Sequence, residues 1–325
     1  MRFNWGVDYE MSYLFTKEIN DWNSWGAVYQ SIEDFRPLIQ EIFVRERLMG
    51  AEDISHLTPG TNAVFKAGSY VIKIFAPTSS GMNTDQDYKA ERSAMQRAID
   101  QGVRTPNIVA ASKINDKYEF KYIIMDFIEG QSAGDAINGF TVEQKRDFVG
   151  KLQEDMVKLN TLPDQEVSRD VIIERAIHND RWKVVSPELR KQIEHFLNHH
   201  ELGTCIHVHG DLTGDNVIID SKDQVYIIDF ADSSVAPIEY EYPGIVFELF
   251  QSDVETVHEF IKCRNLKYSE FIDLLFAGTM LHDFGANFVK SIYEKHTGKG
   301  IGEMSNISEF KELIHTHLMP DFKCT

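Results

Sequence analysis

The pattern of apolar positions in the first part of the chain predicts one helix followed by short strands. Between residues 31 and 48 apolar side chains recur at helical spacing, with Ser31 placed as the N-cap. From residue 54 to residue 75 short apolar runs are separated by turn residues such as Gly60, Asn62 and Gly68. This pattern predicts three strands of an antiparallel meander.

The pattern changes once more near Gly130. A helix over 85–101 and a strand over 121–127 complete a compact α+β unit that ends there. Helical spacing then dominates, in seven stretches: 142–159, 169–177, 187–199, 243–250, 253–263, 268–281 and 307–317. Only two strand-like runs, 217–219 and 225–228, interrupt them.

This organisation predicts an α+β fold of two lobes, a small antiparallel-sheet N-lobe and a larger, mostly helical C-lobe. We place an N-terminal helical extension, packed on the N-lobe, at residues 1–53. The N-lobe follows at 54–130 and the C-lobe at 131–325. A chain of 325 residues with 42% apolar residues is large enough for both cores.

The net charge of the chain limits the classes of binding partner that we expect. Asp and Glu outnumber Lys and Arg by 51 to 33, which gives a formal net charge of −18. Such a field repels nucleic acid and anionic membranes, so we expect neither as a partner. It favours a cationic substrate, although the same acidity is also typical of surfaces that only maintain solubility.

The ends and the cysteines indicate a cytoplasmic protein. The N-terminus lacks the basic and then apolar run of a secretory signal, and no apolar stretch is long enough for a membrane helix. Cys205, Cys263 and Cys324 are odd in number, far apart and outside any metal-ligand spacing, so we expect free thiols and no structural zinc.

The strongest chemical signal is the spacing of His209, Asp211 and Asn216, followed by a predicted hairpin that ends at Asp229. Phosphoryl transfer uses a carboxylate beside the attacking hydroxyl, and an amide oxygen and a second carboxylate to hold the metal. The alternative is a surface hairpin whose Asp and Asn are turn residues. The full spacing, with apolar strands on both sides of the turn, favours the chemical interpretation.

These residues resemble the aminoglycoside phosphotransferase and choline kinase superfamily, which has a protein-kinase-like fold. The catalytic loop of that family commonly opens with His-Gly-Asp, as in His209-Gly210-Asp211, and its metal strand reads Ile-Asp-Phe, as in Ile228-Asp229-Phe230. The resemblance implies that Asp211 is the catalytic base and that Asn216 and Asp229 bind Mg²⁺. It also implies that His209 braces the loop.

The resemblance further implies a lysine and a glutamate in the N-lobe for the nucleotide phosphates. Lys73 lies in an apolar strand, where an unpaired charge would be costly, and Glu91 lies in the next helix. Alternatively, Lys73 faces outward from an edge strand and Glu91 is a solvated helix charge. Backbone amides near Gly60 and Asn62 are candidates for contacts to phosphate oxygens, although a single glycine is also typical of a simple hairpin.

The run 122–130 resembles the family's strand and hinge, whose backbone binds the purine. By that resemblance the carbonyl of Asp126 and the amide of Ile128 bind the base, and Met125 borders it. A methionine at the end of an apolar strand is also typical of simple core packing.

The chain departs from the family after Asp229-Phe230. Family members often continue with Gly-Asp-Pro and then an Asp-Leu pair, and both are missing here; Glu241 would take the later acidic position. In the family the helical lobe builds the acceptor site, which implies five acidic candidates: Asp180, Glu239, Glu241, Glu248 and Asp283. The alternative for each is a solvated or packing side chain.

The sequence thus predicts a small-molecule kinase that transfers the γ-phosphoryl group of ATP or GTP, with Mg²⁺, to a hydroxyl of a cationic acceptor such as an aminoglycoside. A choline-like amino alcohol or a sugar metabolite is an alternative acceptor. A protein kinase is disfavoured because no Ala-Pro-Glu motif follows Asp229. A nucleotide-binding module without activity is the remaining alternative.

Overall fold

The structure is a computed structural model that describes residues 13–58 and 60–318. Contacts group these residues into two compact units, one within Met1–Ser93 and Pro106–Phe127 and the other within Ala94–Thr105 and Ile128–Thr325. None of the helices in the described ranges is both long enough and apolar enough to cross a bilayer. Cys205 and Cys263 are free thiols, as predicted, and Cys324 lies outside the described residues.

An antiparallel sheet of five strands is the centre of the first unit. In spatial order the strands are β1 (Ile54–His56), β2 (Ala63–Ala67), β3 (Tyr70–Ile74), β5 (Glu119–Asp126) and β4 (Ile108–Asn115). The predicted meander and the strand before residue 127 are confirmed. The pattern missed β4 because it is an edge strand that pairs only with β5, and exposed side chains interrupt its alternation.

The two faces of this sheet have different environments. Phe65, Ile72 and Tyr122 project from one face into a cluster of fully buried apolar side chains. Because successive side chains alternate across a strand, Lys73 points to the opposite face.

The segment before the sheet supplies the other half of that cluster. It forms a short helix, α1 (Trp22–Gly26), and the predicted amphipathic helix, α2 (Ile32–Glu46). The Ser31 hydroxyl caps α2 by accepting the Asp34 amide at 3.2 Å. Further toward the N-terminus, the carboxylate of Asp116 accepts the backbone amides of Leu14 and Phe15. The segment is therefore fixed to the sheet by hydrogen bonds as well as by its apolar face.

Helices form most of the second unit, and α3 (Thr84–Asp100) is shared by the two units. In chain order the others are α4 (Ala133–Ala136), α5 (Val142–Leu159), α6 (Arg169–Ile177), α7 (Pro187–His199), α8 (Val254–Cys263), α9 (Tyr268–Leu281), α10 (Gly285–Thr297) and α11 (Ile307–Leu318). The predicted stretches are confirmed, except that 243–250 is a π-helical turn, Gly244–Leu249.

Helix α10, which begins at Gly285, was not predicted from the sequence. A Cβ at this position would lie 2.0 Å from the carbonyl oxygen of Thr279. The glycine therefore allows close packing of α10 against α9.

The prediction of only two strands in the second unit was wrong. Beside β8 (Val217–Asp220) and β9 (Val225–Ile227), the chain forms β6 (Gly130–Ser132), which pairs with β8. It also forms β7 (Cys205–Val208) and β10 (Ser234–Pro237), which pair with each other. These strands have three or four residues, too few for a period of two to be detected.

We expect Phe35 to be a stability determinant of the first unit. Its buried ring contacts Phe15, Trp25, Phe65 and Phe120, at centroid distances of 4.9 to 6.1 Å. Phe35→Ala should lower the free energy of unfolding by about 3 to 5 kcal/mol, because it removes buried apolar surface and leaves a cavity. Urea unfolding monitored by circular dichroism measures this change.

The matched control is Val44→Ala on the same helix, because Val44 is 71% exposed. It should change the free energy of unfolding by less than about 0.5 kcal/mol. Similar losses in the two variants would contradict the packing role of α2.

Candidate active site

The loop between β7 and β8 brings two of the predicted residues into contact. The side-chain amide of Asn216 donates to the Asp211 carbonyl oxygen at 2.9 Å and to its carboxylate oxygen Oδ2 at 2.7 Å. Leu212, directly after Asp211, is buried and anchors the loop in the core. The Asp211 carboxylate is therefore held in one orientation by the residue five positions later.

The hairpin of β8 and β9 brings Asp229 to the same region of the second unit. Val217 pairs with Ile227, and the Ile228 amide donates to the Asn216 carbonyl at 2.9 Å. Asp229 follows with a positive φ of 60°, a conformation that is uncommon outside glycine and is best tolerated by Asp and Asn. This turn of the backbone ends the strand and leaves the Asp229 side chain exposed.

The donor atoms at this position suit Mg²⁺. Because the amide nitrogen of Asn216 faces Asp211, its amide oxygen points away from that carboxylate and is available as a ligand. Together with the Asp229 carboxylate it would supply hard oxygen ligands to the metal. In the part of the chain that is described, no group of three or more His, Cys, Asp or Glu side chains could hold a metal. Mg²⁺ commonly needs only one or two protein ligands when substrate phosphates complete its shell.

His209 braces the loop from the inside. It is fully buried, its Nε2 lies 3.0 Å from the Ile228 carbonyl oxygen, and its Nδ1 accepts the Asp211 amide at 3.3 Å. Burial lowers the pKa of His209 to about 4, so the ring is neutral near pH 7. A neutral ring that donates from Nε2 and accepts at Nδ1 fits both contacts.

Gly210 has a backbone conformation that requires glycine. The buried Glu241 carboxylate accepts the backbone amide of His209, the residue before Gly210. Gly210 has φ 84°, and a Cβ there would lie 2.2 Å from the Asp232 carbonyl oxygen, so only glycine fits. Burial raises the pKa of Glu241 to about 7.

The environment of Asp211 is acidic. Burial, the largest cause, and the nearby carboxylates of Asp232, Asp229 and Glu248 together raise its pKa to about 7, against the opposing hydrogen bond from Asn216. Sequence reasoning missed Asp232, since no motif spacing marks it. A carboxylate that titrates near neutral pH is suited to accepting a proton during a reaction.

The predicted pair of Lys73 and Glu91 is joined in the first unit. The Lys73 ammonium donates to Glu91 Oε1 at 2.7 Å, and the two residues are 6% and 2% exposed. In the sheet Lys73 lies opposite Val64 on β2 and Ile123 on β5. The interpretation of Lys73 as an outward-facing residue on an edge strand is therefore wrong, since β3 has a neighbour on each side.

The turn that leads into β2 is open to approach. A Cβ on Gly60 would meet no atom within 4 Å. The Asn62 side chain accepts the Ala76 amide at 3.4 Å. This bond ties the turn to the second residue after β3. The backbone amides at Gly60 and Asn62 remain candidates for phosphate contacts.

The hinge candidates lie at the end of β5 and just beyond it. Met125 is buried and lies opposite Val71. The Asp126 amide donates to the Asn107 carbonyl at 3.1 Å, so this amide is already engaged within the first unit. Ile128 begins the next stretch of the second unit and is half-buried. Their roles in purine binding stay predictions.

The acceptor candidates differ in accessibility. Asp283 is half-buried and forms a two-pronged ion pair with Arg175, whose shorter contact is 2.6 Å. Asp180 is exposed beside Lys183 at 2.8 Å. Glu239 is buried and accepts the Gly203 amide at 3.2 Å, and Glu241 is buried against the catalytic loop. Their roles as acceptor ligands stay predictions.

Solved structures share the fold at low sequence identity. The GDP and kanamycin complex of APH(2")-IIia is 16% identical, covers 87% of this chain and 98% of its own, and has a TM-score of 0.57. Choline kinase LicA from Streptococcus pneumoniae is 12% identical, with coverages of 88% and 98% and a TM-score of 0.52. A choline/ethanolamine kinase family protein from Mesorhizobium loti is 13% identical, with coverages of 84% and 90% and a TM-score of 0.52. The predicted protein-kinase-like fold class is confirmed.

The sequence comparisons agree with this likeness. No curated protein matches the chain. The profile of the APH phosphotransferase enzyme family matches residues 61–256, which include β2, β3, the loop that contains Asp211, and Asp229. This match spans more than half of the 325 residues, and the chain therefore belongs to the APH phosphotransferase enzyme family.

Proposed function

We propose that this protein is a Mg²⁺-dependent small-molecule kinase that transfers the γ-phosphoryl group of ATP or GTP to a hydroxyl of a cationic acceptor. The observation that supports it best is the hydrogen-bonded pair of Asp211 and Asn216, with Asp229 beside it on the hairpin. We also propose that residues 54–130 form the nucleotide lobe, with the extension 1–53 packed on it, and that 131–325 carry the catalytic loop and acceptor site.

The nucleotide is held chiefly by the first unit in this proposal. Lys73, oriented by Glu91, neutralises the α- and β-phosphates, and the amides near Gly60 and Asn62 contact phosphate oxygens. The backbone of Asp126 and Ile128 holds the purine. Similar structures contain GDP in the APH(2")-IIia complex and ATP in a complex of APH(2")-IIa with streptomycin, which supports a nucleotide co-substrate.

The chemistry is an in-line displacement at the γ-phosphorus. The acceptor oxygen forms the new bond to phosphorus while the bond to the β,γ-bridging oxygen breaks, and the nucleoside diphosphate leaves with that electron pair. Asp211 orients the acceptor hydroxyl and takes its proton. Asn216 and Asp229 hold Mg²⁺, which neutralises charge on the phosphate oxygens when it is bound. The Asn216 amide keeps the Asp211 carboxylate directed at the hydroxyl.

The acidic surroundings of Asp211 support a cationic acceptor. Asp232, Asp229 and Glu248 all act on the Asp211 carboxylate, and the whole chain carries a formal charge of −18. A polyamine such as an aminoglycoside matches that field. A complex with kanamycin is known for the similar APH(2")-IIia.

A choline-like amino alcohol is the second candidate, with a sugar metabolite as a further acceptor class. Two acidic candidates, Glu239 and Glu241, are buried, and Asp283 is paired with Arg175. A single ammonium group needs fewer accessible carboxylates than a polyamine. Two similar structures are choline kinases or relatives of them, which supports including this class in any test.

A coupled nucleotide-turnover assay tests the proposal. ATP and GTP are supplied separately with Mg²⁺, against panels of aminoglycosides, amino alcohols and sugars. Turnover stimulated by one class identifies the acceptor. Nucleotide binding without stimulated turnover on any panel would argue for a nucleotide-binding module without activity.

Asp211→Asn should reduce acceptor-stimulated kcat by roughly 10² to 10⁴, because the amide cannot accept the hydroxyl proton. The affinity for nucleotide, measured by calorimetry, should change little. Asp215→Asn is the matched control, since Asp215 is an exposed carboxylate in the same loop and should keep full activity. Equal activity in the two variants would remove Asp211 from the mechanism.

Asp229→Asn should abolish Mg²⁺-dependent turnover while the fold is retained, because asparagine tolerates the positive φ of 60° but carries no charge for the metal. Asp223→Asn is its control, as Asp223 is exposed in the β8–β9 turn with a φ of 57°. Titration of activity with Mg²⁺ measures the difference. Normal Mg²⁺ dependence in Asp229→Asn would contradict the metal assignment.

The pH dependence of kcat/KM should follow Asp211. If the base has a pKa of about 7, the enzyme loses activity as pH falls below that value, because a protonated carboxyl cannot accept the proton of the acceptor hydroxyl. Bound Mg²⁺ favours the carboxylate, so the midpoint should shift to lower pH as Mg²⁺ is raised. Asp232→Asn should also lower the midpoint, since it removes a neighbouring negative charge. A midpoint unaffected by both changes would show that another group titrates.

A further inference from the structure

Helix α1 contains a buried tryptophan whose indole N–H donates a hydrogen bond to a residue distant in sequence. Trp25 is fully buried, and its indole Nε1 donates to the Thr61 carbonyl oxygen at 3.0 Å. A buried indole N–H needs a partner, and this partner is the backbone of the turn between Gly60 and Asn62. Thr61 is thus fixed by a side chain 36 residues away.

The same helix also contacts the segment that follows the Lys73 strand. α1 packs against the helical turn Thr78–Ser80, which lies between β3 and α3. The chain segments before β2 and after β3 are therefore both in contact with α1. Between them, the register of β2 and β3 places Val64 opposite Lys73.

The tryptophan is itself held firmly. Asp21 and Ser24 form a capping box at the start of α1, with the Ser24 amide 2.8 Å from the Asp21 carboxylate. The Trp25 ring lies edge-on to Phe35 at a centroid distance of 5.9 Å. Because the Trp25 ring is fixed by packing, its indole N–H can set the position of the Thr61 carbonyl that it binds.

We propose that Trp25 is a positioning residue for the nucleotide, which acts by holding the Thr61 carbonyl so that the amides of the Gly60–Asn62 turn face the phosphates. This inference rests on the proposed function of that turn. A purely structural role for Trp25 would affect stability alone. A positioning role would also weaken nucleotide binding beyond what the loss of packing explains.

Trp25→Phe is the variant that tests this, because it keeps an aromatic ring and removes the N–H donor. The KM and Kd for nucleotide should rise by about 3- to 10-fold, the effect of one lost hydrogen bond that orders a binding loop. The kcat should change by less than about twofold, since Trp25 does not act on the reacting atoms.

Two controls separate positioning from packing. Trp22→Phe alters a 41% exposed ring on the same helix and should leave KM, Kd and unfolding unchanged. Phe35→Leu loosens the core beside Trp25 but leaves the indole bond, so it should lower the unfolding midpoint without raising the nucleotide KM. If Phe35→Leu raises KM as much as Trp25→Phe does, the positioning role is overturned.

The indole proton of Trp25 gives a direct readout. The chain has four tryptophans, so the resonance lost in Trp25→Phe identifies this proton by nuclear magnetic resonance. It should shift when Mg²⁺ and nucleoside diphosphate are added to the wild-type protein. A wild-type protein that binds no nucleotide overturns the proposed function and this inference with it. Normal wild-type binding, with equal Kd in Trp25→Phe and Trp22→Phe, overturns the inference alone.

Discussion

The loop before Asp211 is buried but has no regular secondary structure. Its backbone polar groups therefore need hydrogen-bond partners within the protein. Side chains supply two of them: Glu241 accepts the amide of His209, and His209 accepts the amide of Asp211. A buried amide without a partner would destabilise this conformation by about 1 to 3 kcal/mol. The orientation of Asp211 thus depends on buried residues that do not touch the reacting atoms.

In the first unit the buried polar group that needs a partner is a charged side chain, the ammonium group of Lys73. Lys73 is buried on the face of the sheet opposite to the apolar cluster, and its ammonium is paired with Glu91 at 2.7 Å. Burial of a charge is tolerated when a counter-charge at hydrogen-bond distance compensates for the lost hydration. The other face packs against the apolar side chains of α2. Lys73 is therefore a fixed charge and not a mobile surface lysine.

Sequence predicted the features that depend on local periodicity or on a motif with fixed spacing. The long helices of the second unit belong to this group, and so does the hairpin that lies between Asn216 and Asp229. The edge strand β4 and the short strands β7 and β10 could not be predicted, because their formation depends on partners distant in sequence. Asp232 was missed for the same reason, since its effect on Asp211 arises only when the chain is folded.

The departure of the chain from the family pattern after Asp229 has a structural explanation. The segment that lacks Gly-Asp-Pro forms β10, and its pairing with β7 aligns Ser234 with Val208, just before the catalytic loop. A helical turn, Ile238–Glu241, then brings the Glu241 carboxylate to the loop backbone. Because β7 leads directly into His209, the strand pair fixes the start of the loop, and Glu241 accepts the first amide after the strand. The pairing of β7 with β10 and the Glu241 carboxylate therefore both hold the start of the loop that contains Asp211.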